Sequence, residues 1–483
     1  MKKKLIYMSP IAALMMLSSC KKERLEPVPT TSISDQSAFE TPDRILNQVR
    51  GLYANLRSGQ FYGGRYLVYN DIRADEFINE LTNGVTGLEL WAGTQNNNNA
   101  QVTGLWSQAY YLINLCNVFL DGMAAGGTTV VGDALSKNYI AEARFLRALS
   151  YYSMLQLYAR PYWDGTGSKP GLIIRLTGNT SFGDYAKARS TVAEVYTQIL
   201  DDLNFAESNV PLTYSDPATN TTRAHRNTVI ALKTRVYLSM QKYAEVITEA
   251  NKIVSASAPF SASTGVAHAL QADITNVFKT PYTTTESIFS MPFNSNETPG
   301  TQNQMGYYYS KNAGNGEYSL NMSTGIAADA TWTAADKRRT FLAVSGTKTY
   351  LDKKYPAGSP YTDWVPVMRY SEVLLNLAEA RARSTNTVDA QAVALLNAVR
   401  NRSDATTTYT VASFPTVTEL INAILKERRI EFLGEGLRSP DLLRLGLTIP
   451  AKGTVSAIPP SATNYIWPIS ATELLLNSLC KDN

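Results

Sequence analysis

Glu431 and Glu435 stand one helical turn apart and are the residues of this chain that most resemble an acid/base pair. Paired carboxylates hydrolyse glycosidic bonds, with one acting as general acid and the other as base or nucleophile. The same segment also carries four arginines, which are Arg428, Arg429, Arg438 and Arg444. Because a guanidinium partner keeps a carboxylate ionised, it opposes the raised pKa that a general acid needs. We therefore predict a structural network of ion pairs here and no enzyme.

The sequence also argues against histidine and metal chemistry. His225 and His268 are the only two histidines, and neither falls in the spacing of a zinc site or a catalytic triad. No glycine-rich phosphate loop follows a predicted strand, and the chain has no nucleophile elbow. We therefore expect a binding protein that holds neither a metal nor a cofactor. A surface glycosidase that uses Glu431 is the enzymatic alternative.

Cys20 offers a different chemistry, the acylation of its thiol. Cys20 is the last residue of Leu17-Ser18-Ser19-Cys20, which follows three lysines and an apolar run that begins at Leu5. A signal peptide consists of a basic N-terminal region, a short apolar core and small residues before the cleavage site. The apolar core here is too short to span a bilayer. A cysteine at this place resembles the bacterial lipoprotein box. We predict a lipoprotein signal peptide at 1–19 and lipidation of Cys20; the alternative is an ordinary signal peptide with a chance cysteine.

The net charge and the number of cysteines further limit the classes of protein to which this chain can belong. The formal charge is +4 over 483 residues, and three of the lysines lie in the signal peptide. This near-neutral balance argues against nucleic acid as a partner, since phosphate binding needs a basic face. No apolar run of membrane-spanning length follows Cys20. A bridge between Cys116 and Cys480 is an open alternative, but with so few cysteines the core and not a disulfide framework must hold the fold.

Aromatic and amide side chains favour a sugar-binding surface. A pyranose ring is recognised by a flat aromatic face together with amide, carboxylate or guanidinium groups for its hydroxyls. Trp91 is followed by an asparagine run, and Arg73 and Asp75 lie just upstream. We predict a first set of ligand contacts: Arg73, Trp91, Asn96 and Asn97. The alternative is a solvated asparagine-rich turn beside a packed tryptophan.

A second candidate set lies later in the chain. Tyrosine is abundant, with 28 residues against 14 phenylalanines, and three tyrosines are adjacent at 307–309. In an extended segment three neighbours cannot all point inward, so we expect at least one to be exposed. The second set of ligand contacts is Tyr307, Tyr308, Tyr309 and Trp332. Ordinary packing of the loop is the alternative.

A mainly helical scaffold must position these residues. Thr41-Pro42-Asp43 has the capping hydroxyl, first-turn proline and acid of a helix start. Apolar periodicity predicts further helices, which are Thr103 onward, Asp133–Tyr158, Thr191–Asn209, a pair over Thr228–Ser255 broken at Gln241-Lys242, and 366–384, 389–403, 417–434 and 471–479. Residues 59–101 and 257–365 are irregular and polar, and so long a loop-rich stretch is usually functional.

Four segments resemble the SusD/RagB family of outer-membrane nutrient-binding lipoproteins. The segments lie at 141–158, 367–380 with 396–402, 427–444 and 467–477, and the second and third of them carry specific motifs, such as Glu427-Arg428-Arg429-Ile430-Glu431-Phe432 in the third. Their order and spacing agree with the family over nearly the whole chain after Cys20. The resemblance implies a mainly α fold of tetratricopeptide-like helix pairs, with a large loop-rich ligand-binding part and few short strands.

The resemblance also implies a partner and a cargo. The partner is a TonB-dependent, SusC-like outer-membrane barrel, and the cargo is an oligosaccharide, or a peptide in some members. We expect a lipidated tether at 20–40, facing the cell surface, and a body at 41–483. The body divides into a helical part at 41–256, a loop-rich part at 257–365 and a second helical part at 366–483. A helical-repeat adaptor that binds only protein is the alternative.

Overall fold

The computed structural model describes residues 37–483, so the lipidation predicted at Cys20 lies outside the described residues. Within 37–483 the chain forms sixteen α-helices and six short strands. The helices are α1 (Pro42–Leu56), α2 (Arg65–Arg73), α3 (Leu88–Ala92), α4 (Ala100–Gly122), α5 (Thr128–Val131), α6 (Asp133–Tyr158), α7 (Val192–Asn209), α8 (Pro217–Thr222), α9 (Arg226–Ser239), α10 (Tyr243–Ala250), α11 (Met305–Tyr309), α12 (Tyr370–Thr385), α13 (Ala390–Ser403), α14 (Val417–Glu431), α15 (Arg438–Arg444) and α16 (Ala471–Leu476). The strands are β1 (Phe77–Asn79), β2 (Ser287–Met291), β3 (Tyr318–Leu320), β4 (Ala343–Ser345), β5 (Lys348–Tyr350) and β6 (Val365–Arg369).

Local capping fixes where several helices begin. Thr41 is extended and its hydroxyl accepts from the backbone N–H of Arg44 at 3.3 Å, with Pro42 in the first turn of α1. Thr191 and Glu194 form a capping box at the start of α7. Each cap satisfies a backbone donor that has no partner inside the helix and stabilises the helix by about 1 kcal/mol. The predicted starts of both helices are confirmed.

The long helices build the core by packing on their neighbours. Helix α6 lies between α4 and α7, and most of its second half is buried, including Phe145, Leu146 and Leu149. Its alanines allow close approach to the neighbouring helices, while each fully buried large apolar side chain contributes about 1.5–3 kcal/mol. Helices α9 and α10 form the predicted pair, and Gln241 takes φ 58° in the break between them. A continuous apolar core runs from Ile45 to Cys480.

Three two-stranded antiparallel sheets fall in or border the loop-rich part. Strand β1 pairs with β3, so that Phe77 faces Leu320, and β4 pairs with β5. Strand β2 pairs with β6, from Ser287 opposite Arg369 to Met291 opposite Val365. The prediction of helix from 366 is therefore wrong at its start, because pairing with β2 holds 365–369 extended and α12 begins only at Tyr370.

The block 59–101, predicted to be irregular, contains the helices α2 and α3. All nine residues of α2 are buried, including the polar Arg65, Asn70, Asp71 and Arg73, so burial in this helix does not follow the apolar pattern from which helices are predicted. In the described range 37–483, no helix is both long enough and apolar enough to cross a membrane. Cys116 and Cys480 are both free thiols and both are buried.

Ion pairs connect the N-terminal and C-terminal helices through the interior. Arg235 of α9 binds Glu372 of α12 at 2.6 Å. Glu76 accepts from Arg429 at 2.7 Å, and Asp75 accepts from Arg438 at 2.8 Å. Asp75 and Glu76 are almost fully buried, so these pairs must form for the two ends of the chain to pack.

Candidate ligand-binding surface

Arg369, at the end of β6, is the centre of a buried cluster of charges. Its guanidinium contacts Glu286 at 2.6 Å, Glu431 at 2.7 Å and Glu435 at 2.8 Å, and its side chain is 1% exposed. Arg338 and Arg402 also bind Glu431, at 2.9 and 2.7 Å. The predicted network of ion pairs is confirmed.

Glu431 has the wrong electrostatics for a general acid. Burial alone would raise its pKa, but the cations of Arg402, Arg369 and Arg338 outweigh burial and hold the pKa well below its ordinary value. The same balance applies to Asp441, where Arg428 and Arg444 overcome burial and lower the pKa to about 2. Both carboxylates are therefore ionised at neutral pH and enclosed. Glu431 joins α14 to β6 and α13, and Asp441 joins α15 to α14.

The two histidines form a buried stacked pair. The rings of His225 and His268 lie 5.3 Å apart, nearly parallel, and the ring of Tyr370 stacks on His268 at 6.0 Å. Burial lowers the pKa of His225 to about 3 and that of His268 to about 4. Over residues 37–483, no cluster of histidine, cysteine and carboxylate side chains has the makings of a metal site. The pair is uncharged at neutral pH and belongs to the core.

Trp91 does not present its ring to solvent. It lies on the short helix α3 at 8% exposure, and its indole N–H donates to the carbonyl oxygen of Phe77 at 2.9 Å. The side-chain nitrogen of Lys452 lies over the ring, 5.6 Å from its centroid. Arg73 is also buried, and it donates to the carbonyl oxygens of Gln156 and Tyr465. The stacking role of Trp91 and the ligand role of Arg73 stay predictions, and in this structure both side chains are buried and pack α2 and α3.

The asparagine run is a turn that leads into α4. Asn96 is exposed and its side-chain oxygen accepts from the N–H of Asn98 at 2.9 Å, while Asn99 caps α4. Asn97 is half-buried, and its carbonyl oxygen accepts from the N–H of Ala471 at 2.8 Å. Asn96 and Asn97 are therefore accessible, but the aromatic face expected beside them is absent because Trp91 is enclosed.

The adjacent tyrosines form the short helix α11 and not an extended segment, so their side chains diverge. Tyr309 is fully buried; it stacks on Phe77 at 4.7 Å and donates to Asp71 at 2.9 Å. Tyr308 is fully buried as well and donates to the carbonyl oxygen of Gln302 at 2.8 Å. Burial also raises the pKa of Asp71 to about 8. The ligand roles of Tyr308 and Tyr309 also stay predictions, and in this structure both side chains fill the core beneath β1 and β3.

Trp332 is enclosed in the same way. It is 2% exposed, and the guanidinium of Arg339 lies 4.3 Å above its ring. Arg339 also donates to the carbonyl oxygen of Trp332 at 2.7 Å. The ligand role of Trp332 stays a prediction, and in this structure Arg339 occupies the ring face that a sugar would use.

Tyr307 is the member of the predicted sets that offers an aromatic ring at the surface. It is half-buried, and Tyr361 meets it at 6.0 Å with the rings at 77°. The hydroxyl of Tyr307 accepts from the side-chain amides of Gln302 and Asn315, each at 3.3 Å. A phenol oxygen has two acceptor sites and one hydrogen, so these amides leave the hydrogen of Tyr307 to donate to a ligand.

Gly314 allows the loop with Asn315 to reach this position. A side chain at 314 would meet the carbonyl oxygen of Gly306 at 2.2 Å and the Cα atom of Tyr307 at 2.6 Å. The close approach lets the N–H of Asn315 donate to the carbonyl oxygen of Tyr307 at 3.0 Å. The amide of Asn315 is thereby fixed beside the ring.

Two further half-buried aromatics are Trp364, which follows Tyr361 in the same loop, and Tyr282, which lies before β2. Trp364 stacks on Tyr282 at 5.4 Å, with their planes 15° apart, and its indole N–H donates to the carbonyl oxygen of Phe293 at 3.2 Å. Asp363 accepts from the hydroxyl of Tyr282 at 2.9 Å and positions the pair. We name the group made by Tyr282, Tyr307, Tyr361 and Trp364 the aromatic surface.

The sequence does contain a signal for Tyr361 and Trp364, which neither predicted set of ligand contacts includes. A turn at Gly358-Ser359-Pro360 is followed by Tyr361 and Trp364, and turn residues followed by large aromatics mark an exposed loop. A groove of about 360 Å³, lined by Arg57, Phe293 and Glu297, adjoins the carbonyl that Trp364 binds. The arrangement can stack sugar rings and bind their hydroxyls.

Two family models together match residues 31–483. One, described as "Starch-binding associating with outer membrane", matches residues 31–238, and the other, described as "SusD family", matches residues 237–483. A solved SusD superfamily protein from Bacteroides fragilis is 31% identical, with a TM-score of 0.82 over 92% of this chain and 99% of that chain. Another, from Bacteroides thetaiotaomicron, is 23% identical and has a TM-score of 0.81 over 92% and 99%. SusD-like protein P2 of Formosa agariphila is 25% identical over 97% of both chains.

Proposed function

The chain belongs to the SusD/RagB family, and on this basis we propose that it is a cell-surface lipoprotein which captures an oligosaccharide for a TonB-dependent, SusC-like transporter. The family's mainly helical fold is confirmed by both solved relatives. Glycan capture is supported by the description of the matching model as starch-binding and associated with the outer membrane. The carboxylates most suited to catalysis are buried in ion pairs, which favours binding without hydrolysis.

The observation that carries the proposal is the pair Tyr307 and Tyr361. Both rings are half-buried, and they meet edge to face beside two fixed amides. Aromatic faces contact the apolar side of a pyranose, and neighbouring amides and hydroxyls bind its polar edge. Since these groups are uncharged, binding of a neutral glycan here should depend little on salt concentration.

Replacing Tyr307 with alanine is expected to weaken glycan binding about five- to thirtyfold, because a stacked ring contributes on the order of 1–2 kcal/mol. Tyr361→Ala should act similarly, and Tyr307→Phe should lose only the hydroxyl contact, about 1 kcal/mol. The measurement is calorimetric titration of the soluble body against a broad oligosaccharide panel. Tyr237→Ala is the matched control, a half-buried tyrosine on α9 outside the aromatic surface.

The panel also separates the competing functions. Unchanged affinity in both Tyr307→Ala and Tyr361→Ala would remove the aromatic surface as the glycan site. A panel with no binder would favour peptide cargo, to be titrated in the same format. Hydrolysis that is lost in Glu431→Gln would support a glycosidase. Recovery of soluble protein partners alone would favour an adaptor.

Replacing Cys20 with alanine is expected to move the protein from the membrane to the soluble fraction, because acyl chains on the cysteine would be its membrane anchor. Fractionation with metabolic labelling by a fatty acid measures this directly. The melting temperature and glycan affinity of the released body should equal those of the wild type. A Cys20→Ala protein that is still labelled and still in the membrane fraction would show that the anchor lies elsewhere. Cys116→Ala is the control for loss of a cysteine that is buried in the core.

A further inference from the structure

Large apolar side chains are exposed on two segments that neighbour each other in space. Phe182 is fully exposed, and Leu475 and Leu476 are 83% and 76% exposed. We name the surface formed by residues 174–190 and 471–483 the apolar face; its exposed apolar residues are Leu176, Phe182, Tyr185, Leu475, Leu476 and Leu479. Patches of this kind on soluble domains mark sites of interaction.

Reciprocal hydrogen bonds make the two segments one surface. The side-chain oxygen of Asn477 accepts from the N–H of Lys187 at 3.0 Å, and its amide donates to the carbonyl oxygen of Lys187 at 2.8 Å. Arg175 and Glu473 approach to 3.8 Å at the other end. Asn477 is 3% exposed, so it is fixed in this role. The two segments therefore form one fixed surface, and its apolar side chains are not exposed merely because the C-terminal segment is loosely attached.

The core does not account for these side chains. In α16, Leu474 packs against the core while Leu475 and Leu476 point outward. The stretch 171–190 carries no helix and no strand. A loop of that length inside a compact domain is uncommon, and where it occurs it usually serves binding.

The charge of the apolar face fits a protein partner better than a lipid or a nucleic acid. Its two segments carry four basic side chains, Arg175, Lys187, Arg189 and Lys481, against three acidic ones, Asp184, Glu473 and Asp482. Such interspersed charges supply no net attraction for phosphate groups, and the carboxylates would be repelled by anionic lipids. Protein interfaces, in contrast, combine apolar side chains with a rim of mixed charge.

The apolar face also lies on the side where the described chain begins. A groove of about 870 Å³ runs between Phe39, near the first described residue, and Gly178 and Thr180 of the apolar face. Under the proposed function, the 16 residues from 21 to 36 connect this point to the membrane, a reach of at most about 55 Å. A partner embedded in the same membrane is therefore within range of the face.

We propose that the apolar face docks on the extracellular surface of the transporter, at a patch of aliphatic and aromatic side chains with little net charge. This inference rests on the proposed function, which supplies the transporter as partner. It assigns docking to a surface formed by 174–190 and 471–483, with residues separate from those of the aromatic surface. Loss of docking and loss of glycan binding should consequently be separable by mutation.

The test is affinity purification of the full-length lipoprotein from its native membrane after mild detergent extraction. Leu475→Glu combined with Leu476→Glu should reduce the co-purified transporter at least tenfold, with melting temperature and glycan affinity unchanged. The matched control is Leu212→Glu with Val344→Glu, at positions 58% and 73% exposed and outside the apolar face. Equal recovery of the transporter by wild type and the Leu475/Leu476 variant would overturn the proposal.

Other outcomes identify other partners. If the wild type recovers no transporter while it still binds glycan, the transport part of the proposed function fails, and this docking site fails with it. If the Cys20→Ala protein sediments with phosphatidylethanolamine–phosphatidylglycerol vesicles and the Leu475/Leu476 variant does not, the face binds lipid instead. A dimer of the Cys20→Ala protein that this variant abolishes would make the partner a second copy of the chain. Each of these results contradicts the proposal.

Discussion

Replacing Arg369 with methionine is expected to lower the free energy of unfolding by about 3–5 kcal/mol, the usual cost of removing one partner from a buried ion pair. The guanidinium contacts three buried carboxylates, those of Glu286, Glu431 and Glu435. Without it, negative charges remain in a medium that solvates them poorly. The loss is a large share of the roughly 5–15 kcal/mol that holds a typical domain folded. Urea denaturation of the soluble body, followed by tryptophan fluorescence, measures the change.

Two further variants make the cause identifiable. Arg369→Lys keeps the charge but not the forked donor geometry, so its stability should fall between those of wild type and Arg369→Met. Lys137→Met removes an exposed pair with Asp133, in which the side chains are 54% and 79% exposed, and should change stability little. If Arg369→Met unfolds at the same urea concentration as wild type, the cluster contributes nothing to stability and its interpretation as a structural network is wrong.

The stacked histidines are expected to make the fold sensitive to mild acid. Burial lowers the pKa of His225 to about 3 and of His268 to about 4, whereas an unfolded histidine titrates near pH 6.5. As the pH falls below about 6.5, the unfolded chain therefore binds protons that the folded chain does not. The free energy of unfolding should then drop by up to about 1.4 kcal/mol per pH unit for each histidine, down to about pH 4.

The histidine contribution is isolated by comparing pH slopes. Asp71, whose pKa burial raises to about 8, acts in the opposite direction over the same range, since its folded form holds a proton that the unfolded form releases. Glu431, with a lowered pKa, contributes only below about pH 4.3. The carboxyl groups of Asp71 and Glu431 contribute equally in wild type and in His225→Phe. The difference between the two proteins in the slope of unfolding free energy against pH, from pH 6.5 to 4.5, therefore measures the contribution of His225. Identical slopes would show that His225 is protonated equally in both states.

Helix positions were predictable because their determinants are local. The capping threonines at 41 and 191, the apolar periodicity of α6 and the break at Gln241 all act through neighbours within a few residues. The start of α12 was not predictable, because the extended conformation of 365–369 depends on pairing with β2, which lies almost eighty residues earlier in the chain. Nonlocal pairing of this kind leaves little trace in a short sequence window.

The chemical character of the proposed ligand site was predictable from the sequence, but most of its members were not. Tyrosine abundance and the loop-rich region indicated an aromatic surface, and Tyr307 contacts Tyr361 on the surface that we propose for the ligand. Trp91 and Trp332 were predicted for the same chemical reason, but Lys452, distant in the chain, lies over the ring of Trp91, and Arg339 lies over the ring of Trp332. Burial is a property of the assembled fold, so a side chain's suitability for stacking does not reveal whether its face stays open.

The ion pairs that cross the interior mean that the boundary between the two matching family models is not a boundary between folding units. A fragment that stops at residue 238 would keep Arg235 without Glu372, and it would keep Asp75 and Glu76 without Arg438 and Arg429. The complementary fragment would carry the matching unpaired charges. Insertion or deletion of loops on the surface should therefore be tolerated far better than separation of the halves, and homologues should vary in length at the loops while keeping both halves in a single chain.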